Sequence, residues 1–232
     1  MGLKDDLAAQ VKSIFSSQWK VEDTTDVPDP EDLNLNANHA KNLDMATVLY
    51  ADLDGSTKMV DNYKWAFSAE VYETYLRCAA EVIRNESGVI TAYDGDRIMA
   101  VFTGDSKNTN AVRCALKINY AVCEIIRPAL QAQYPSTDFT LKHVVGIDSS
   151  QLRTARIGVR GDNDLVWIGR AANYAAKLTT LSEKSTWITK PVYDCMHENV
   201  KVSKGVNMWE ARSWTSMKNL PVYCSTYWWT IP

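Results

Sequence analysis

The sequence predicts an α+β domain with a ferredoxin-like β-α-β-β-α-β core: an antiparallel sheet with helices on one face. Three observations predict it. A β-branched and apolar run at 46–53 is followed by helical periodicity over roughly 57–86. Two short strand-like runs, 89–93 and 98–103, flank Asp94-Gly95-Asp96, and Asp-Gly between such runs is a strong hairpin signal. A long helical pattern at 106–133 then leads into a further strand at 139–147.

The elements follow in order. Leu3, Leu7, Val11, Ile14 and Phe15 recur at helical spacing, so 3–19 reads as an amphipathic helix. Its polar face is not strongly basic, which favours a docking or dimer-contact helix over a membrane-surface one. Residues 21–45 are rich in Asp, Asn and Pro and read as a linker. The helix over 106–133 begins near Asp105 or Ser106 and stops by Tyr134-Pro135, with Pro128 placed to kink or end it early. A hairpin is expected near 152–168, a helix over 170–182, and short strands with one short helix thereafter, including a last strand at 222–226. The division is therefore 1–20, N-terminal helix; 21–45, linker; 46–232, main domain.

Composition narrows the function. With 232 residues, 46% of them hydrophobic, the chain can bury one sizeable core. The formal charge of −3 gives no support to nucleic-acid binding. Lys4, Asp5, Asp6 and Lys12 exclude an apolar signal core near the start, and no run of 18 apolar residues is present. The five cysteines lack C-x-x-C spacing, and the three histidines form no pair at metal-ligand spacing. A reduced, cytoplasmic setting without a membrane is the expectation.

Two carboxylates stand out. Alternation along 46–53 puts Val48, Tyr50 and Asp52 on one face of a strand. A carboxylate ending an apolar strand is expensive to bury unless paired, hydrogen-bonded or metal-bound. The hairpin that follows lies beside the first strand, bringing Asp96 to the same sheet end. Two such groups with phosphate oxygens suit Mg²⁺ or Mn²⁺. The competing reading stays open here: Asp52 as a helix cap, Asp94 and Asp96 as turn residues. Further on, Arg170, Asn173 and Lys177 fall on one helical face, a stripe suited to an anion and equally to a solvated surface.

Together these segments resemble the class III adenylyl and guanylyl cyclases over about 46–230. Val48-Leu49-Tyr50-Ala51-Asp52-Leu53-Asp54-Gly55-Ser56-Thr57 is similar to the family's first metal motif, F-A-D-I-x-G-F-T. Tyr93-Asp94-Gly95-Asp96-Arg97-Ile98-Met99-Ala100 resembles the hairpin carrying the second metal carboxylate, and 169–178 resembles the G-x-x-V-N-x-A-x-R-L helix.

The resemblance implies a class III cyclase catalytic domain. Asp52, Asp96 and the Leu53 carbonyl would hold two Mn²⁺ or Mg²⁺ ions. Asn173 would orient the ribose, and Lys177 stands where the family has a transition-state arginine. A homodimer would carry two composite sites, metals from one chain and the Asn173 helix from the other. Ala92 and Val166 occupy the positions of the family's purine-reading pair, so strong purine selection is not expected.

Tyr50 and Arg97 then become candidate substrate-binding residues. Around them the chain resembles the pyrimidine cyclases of the bacterial Pycsar anti-phage systems. That likeness implies UTP to cyclic UMP, with CTP to cyclic CMP as the alternative. It also implies a separate effector with a cyclic-nucleotide-binding domain. An idle nucleotide-binding module is the competing class, supported by Lys177. An RNA-binding domain is disfavoured, because Asp52 and Asp96 repel phosphate without metal. Arg212 and Lys218 lie where the family places a triphosphate lysine, and neither is assigned. Trp214, Trp228 and Trp229 are read as packing residues.

Overall fold

The computed structural model describes residues 2–36 and 38–232. Helix α1 (Leu3–Ser16) and strand β1 (Lys20–Asp23) precede a long strand β2 (His39–Asp54). Helices α2 (Ser56–Asn62) and α3 (Trp65–Asn85) lead to the hairpin β3 (Val89–Asp94) and β4 (Arg97–Phe102). Helix α4 (Lys107–Tyr120) runs through a π-helical turn, Ala121–Ile126, into α5 (Arg127–Gln133). Then come β5 (Lys142–Val159), β6 (Asp162–Ile168), α6 (Arg170–Leu178), β7 (Thr186–Thr189) and α7 (Lys190–Cys195). A small ribbon, β8 (Val202–Ser203) with β9 (Val206–Asn207), precedes the last hairpin, β10 (Glu210–Trp214) and β11 (Leu220–Ser225).

Among the described residues nine strands form one sheet, with the path β10-β11-β7-β5-β2-β4-β3. Two pairs are parallel, β1 with β2 and β5 with β7; the rest are antiparallel. The two long strands explain how nine fit. The second half of β2 pairs with β4 and the first half of β5 with β7, making the body. Their other halves pair with β1 and β6 and project as an arm.

The expected α+β core is present, with one correction to its layering. Helices α3 and α4 bury Tyr75, Ile83, Val112 and Leu116 against Leu49, Ala51 and Leu53 on one sheet face. Helix α6 lies on the opposite face, where Ala171, Ala172 and Ala175 meet Val48, Met99 and Leu152. Three alanines on its inner surface let this helix sit close. It does so over Gly146, where an added Cβ would lie 2.2 Å from the Ala175 carbonyl oxygen.

Several boundaries moved. The strand expected from residue 46 begins at His39, within the stretch read as linker, and bulges between Leu43 and Ala46. Its polar start is satisfied across the ladder: Asn42 donates to Asp23 at 2.7 Å, and Lys41 to Glu22 at 2.8 Å. Pairing with a distant strand, rather than local hydrophobicity, makes this segment a strand. The helix over 106–133 widens into a π turn just before Pro128, which cannot donate to the preceding turn. Strand β5 starts three residues late and runs on to Val159, and α6 ends at Leu178 rather than 182.

Helix α1 buries none of its residues, so its apolar stripe is exposed. All five cysteines are free; Cys114 is buried, while Cys78 and Cys123 are half-buried. Among the described residues, no helix is long and apolar enough to cross a membrane.

Candidate active site

Strand alternation delivers the first carboxylate as expected. Leu49, Ala51 and Leu53 point into the α3/α4 core, while Val48 and Tyr50 belong to the layer under α6. Asp52 continues that second row at the sheet's end and is half-buried. Gly55 follows in the left-handed region, φ 81°, which turns the chain sharply into α2.

The hairpin delivers the second. Asp94 pairs with Arg97, leaving Gly95 and Asp96 as a two-residue turn with Gly95 at φ 63°. Arg97 is in turn opposite Asp52 on β2, so Asp96 stands beside Asp52.

The electrostatics follow from this crowding. Burial, then the Asp96 charge, push the Asp52 carboxyl above the usual carboxylate range. The Thr179 hydroxyl, Arg97 and the Leu53 N–H only partly offset them. Thr179 Oγ1 donates to Asp52 Oδ2 at 3.2 Å. Behind the site, the fully buried Tyr75 hydroxyl donates to the Asp52 carbonyl at 3.4 Å. Burial and then both aspartates push its ionisation well up, so it stays a neutral donor.

Arg97 does not neutralise the pair. Its Nε and Nη2 donate to Asp94 Oδ2 at 3.1 and 2.5 Å, and its guanidinium lies 5.7 Å from the centre of the Tyr50 ring. Tyr50, Met99 and Ala92 form one row across β2, β4 and β3. Val166 sits on β6 in the arm, opposite Ala155.

The polar stripe on α6 divides. Arg170 turns back into its own chain, donating to buried Asp148 at 3.0 and 3.2 Å and to the Ser149 carbonyl at 2.7 Å. The reading of Arg170 as part of an anion-binding face is thereby corrected: a buried carboxylate takes the guanidinium. Asn173 and Lys177 remain on the exposed face, with the Asn173 amide 3.3 Å from the Gly169 carbonyl. The structure thus gathers Tyr50, Asp52, Leu53, Asp96 and Arg97 at one sheet end, and sets Asn173 and Lys177 on the outer surface of α6.

Thr179, Tyr75 and Asp148 were missed by sequence reasoning. Each acts through a contact far away in the chain. Only Thr179, just past the helix, carried any positional signal. In the C-terminal stretch, Arg212 is paired with Glu210 at 2.7 Å. Trp214 is buried, in edge contact with Tyr174, and Trp228 lies against Tyr120.

The fold is that of the class III nucleotidyl cyclase catalytic domains. The structure of the guanylyl cyclase Cya2 superposes with a TM-score of 0.67 at 17% identity, over 81% of this chain and 94% of that one. No family model matches the chain. Two relatives match over the whole of both chains: a uridylate cyclase of Burkholderia cepacia, 62% identical over 231 residues, and one of Xanthomonas perforans, 51% identical. The chain belongs to the uridylate cyclase family.

Proposed function

We propose that this chain converts UTP to cyclic UMP and pyrophosphate, with Mn²⁺ or Mg²⁺ held between Asp52 and Asp96. The observation that carries the reading is the pairing of those two carboxylates, with the nearest guanidinium diverted to Asp94. Burial and the Asp96 charge both oppose ionisation of Asp52, and a divalent cation relieves both. Among the described residues no group of three His, Cys, Asp or Glu side chains assembles, so the remaining ligands are oxygens from elsewhere. Leu53 would contribute through its backbone carbonyl, its side chain being buried.

In the reaction the ribose 3′-oxygen bonds to the α-phosphorus, the bond to the β-phosphate bridge oxygen breaks, and the 3′-proton is lost. When bound, the cation supplies charge neutralisation of the triphosphate and acidifies the 3′-hydroxyl. Asn173 orients the ribose. Lys177 places a positive charge against the α-phosphate oxygens, as a point charge rather than a fork. Arg97 and Tyr50 form a surface for the substrate beside Asp52. Ala92 and Val166 offer no hydrogen bond to a purine edge, and the bulk of Tyr50 suits a single-ring base.

Asn173 and Lys177 face outward from the helix that covers Tyr50. This supports a homodimer in which one copy's α6 serves the other's carboxylates. Two such sites would feed a cyclic nucleotide to a separate anti-phage effector with a cyclic-nucleotide-binding domain.

The test is to give purified protein, with Mn²⁺, each of ATP, GTP, CTP and UTP separately and to identify the products. Cyclic UMP should dominate. Dominant cyclic CMP would reassign the base, a purine product would overturn the pyrimidine reading, and binding without turnover would make the chain an idle module.

A further inference from the structure

Helix α6 is fastened at both ends, and each fastening is a carboxylate on the sheet. At its start, Arg170 pairs with Asp148, which also accepts from the Thr189 hydroxyl, and the Ala171 N–H donates to Ser150 Oγ at 2.9 Å. At its end, the buried Thr179 hydroxyl lies 2.8 Å from the Ala176 carbonyl and 3.2 Å from Asp52 Oδ2. The first carboxylate is fully enclosed and structural. The second is the cation ligand of the reading above.

We propose that Thr179 is a positioning residue, fixing the Asp52 carboxylate for the cation and tying it to the last turn of the helix that carries Asn173 and Lys177. This rests on Asp52 being a cation ligand. A hydroxyl has one proton to give and here has two acceptors. An ionised Asp52 draws that proton, because a bond to a carboxylate is roughly twice as strong as one to a neutral carbonyl. One oxygen of Asp52 is then held and the other is left for the cation. Such partners of a metal ligand set its orientation, and their loss commonly weakens metal binding at least about 10-fold. In a dimer the consequence reaches further. Thr179 touches the carboxylate of one composite site and ends the helix that serves the other, so cation occupancy at one site bears on helix placement at its neighbour.

Thr179→Val keeps the shape and removes the hydroxyl; Thr179→Ser keeps the hydroxyl. Mn²⁺ binding is measured by electron paramagnetic resonance of the free ion, alone and with 3′-deoxy-UTP, and half-saturating Mn²⁺ is measured in turnover. Thr179→Val should weaken Mn²⁺ binding roughly 10-fold. It should raise the Mn²⁺ requirement in parallel and leave kcat at saturating Mn²⁺ within about 2-fold of wild type. Thr179→Ser should restore both. If Thr179→Val does not fold, Thr179→Ala against Thr179→Ser makes the same comparison.

Equal Mn²⁺ affinity in all variants overturns the proposal, as does wild-type protein that binds no Mn²⁺. The two readings fail separately. A protein inactive on UTP whose Mn²⁺ binding still depends on Thr179 loses the proposed function and keeps this one. An active enzyme indifferent to Thr179 does the reverse.

Discussion

Asp52 and Arg97 stand opposite one another across the β2–β4 ladder, yet the Arg97 guanidinium is held by Asp94 and lies over the ring of Tyr50. A two-residue turn is what separates the groups. Asp94 and Arg97 flank it and close on each other, leaving Asp96 in the turn itself and beside Asp52. The hairpin therefore performs two tasks. It brings two like charges together, as the proposed cation site requires, and it turns the nearest guanidinium away from them toward Tyr50.

Removing one of those charges should separate stability from activity. Asp52→Asn and Asp96→Asn should each lower turnover of UTP by at least about 100-fold, the scale of losing a cation's charge stabilisation. Asp52→Asn should nonetheless melt higher than wild type at neutral pH without divalent cation. The sign follows from linkage. Folded Asp52 binds its proton more tightly than the unfolded chain does, so folding stability falls as pH rises from the ordinary carboxylate range through the raised folded value.

Buried His143 works in the opposite sense. Burial and the Arg127 charge hold it down at about 3, so its contribution is present above 6.5 and is lost as pH falls toward 3. The melting advantage of Asp52→Asn should accordingly vanish as the pH approaches 4, with the His143 slope left in both proteins. Mn²⁺ should raise the melting temperature of wild type and not of Asp52→Asn. A variant less stable than wild type at pH 7, cation absent, would contradict the crowding of charge.

Arg97 should act on substrate affinity rather than on the cation. Arg97→Lys keeps a charge but loses the planar fork that reaches Asp94 and the flat face over Tyr50. A cation–π contact of this kind contributes roughly 0.5–2 kcal/mol, so KM for UTP should rise about 2- to 30-fold with the Mn²⁺ requirement unchanged. Tyr50→Leu should give a similar rise, and the double variant less than the two combined, because both remove one interaction. Full additivity in steady-state kinetics would show that the two residues serve the substrate independently.

What the sequence made legible divides along physical lines. The carboxylates were readable because each depends on local rules: period-two alternation for Asp52, and turn chemistry for Asp96. The helix of Asn173 and Lys177 was readable from its alanine face. The start of β2 was not, because Lys41 and Asn42 are stabilised by Glu22 and Asp23 on a strand paired in parallel, a contact that no local pattern encodes. The partner of Arg170 was hidden for the same reason. Asp148 lies 22 residues earlier on β5, and without that pairing the guanidinium reads as a surface charge. The close approach of α6 to the sheet also depends on Gly146, which meets Ala175 far along the chain, a contact that no local pattern encodes.

That glycine supports a stability prediction. Gly146 pairs with Tyr50 on β2 and lies directly beneath the backbone of α6. A methyl group there meets the Ala175 carbonyl oxygen at 2.2 Å and the Leu178 Cβ at 2.8 Å. The obstacle is backbone, so relief requires the helix to shift. Gly146→Ala should cost about 1–3 kcal/mol in denaturant unfolding, the usual range for overpacking. Lifting α6 displaces Asn173, Lys177 and Thr179 together, so activity should fall further than stability alone explains. A fully active Gly146→Ala enzyme would mean that the helix tolerates displacement.

The composite site makes the sharpest prediction. If Asp52 of one copy works with Lys177 of the other, Asp52→Asn and Lys177→Ala must each inactivate both sites of their own homodimer. Mixed after reversible dissociation, they form heterodimers in which one site carries both substitutions and the other carries neither. Random reassortment makes half the dimers mixed, each with one intact site of two, so activity should return to about a quarter of wild type. The reasoning depends on the outward face of α6, where Asn173 and Lys177 stand apart from the side packed on Tyr50 and Val48. A site complete within one chain gives no recovery on mixing, because every chain then carries its own defect. The assay is UTP turnover against mixing ratio. A maximum at equal proportions assigns the metal carboxylates and the lysine to different copies.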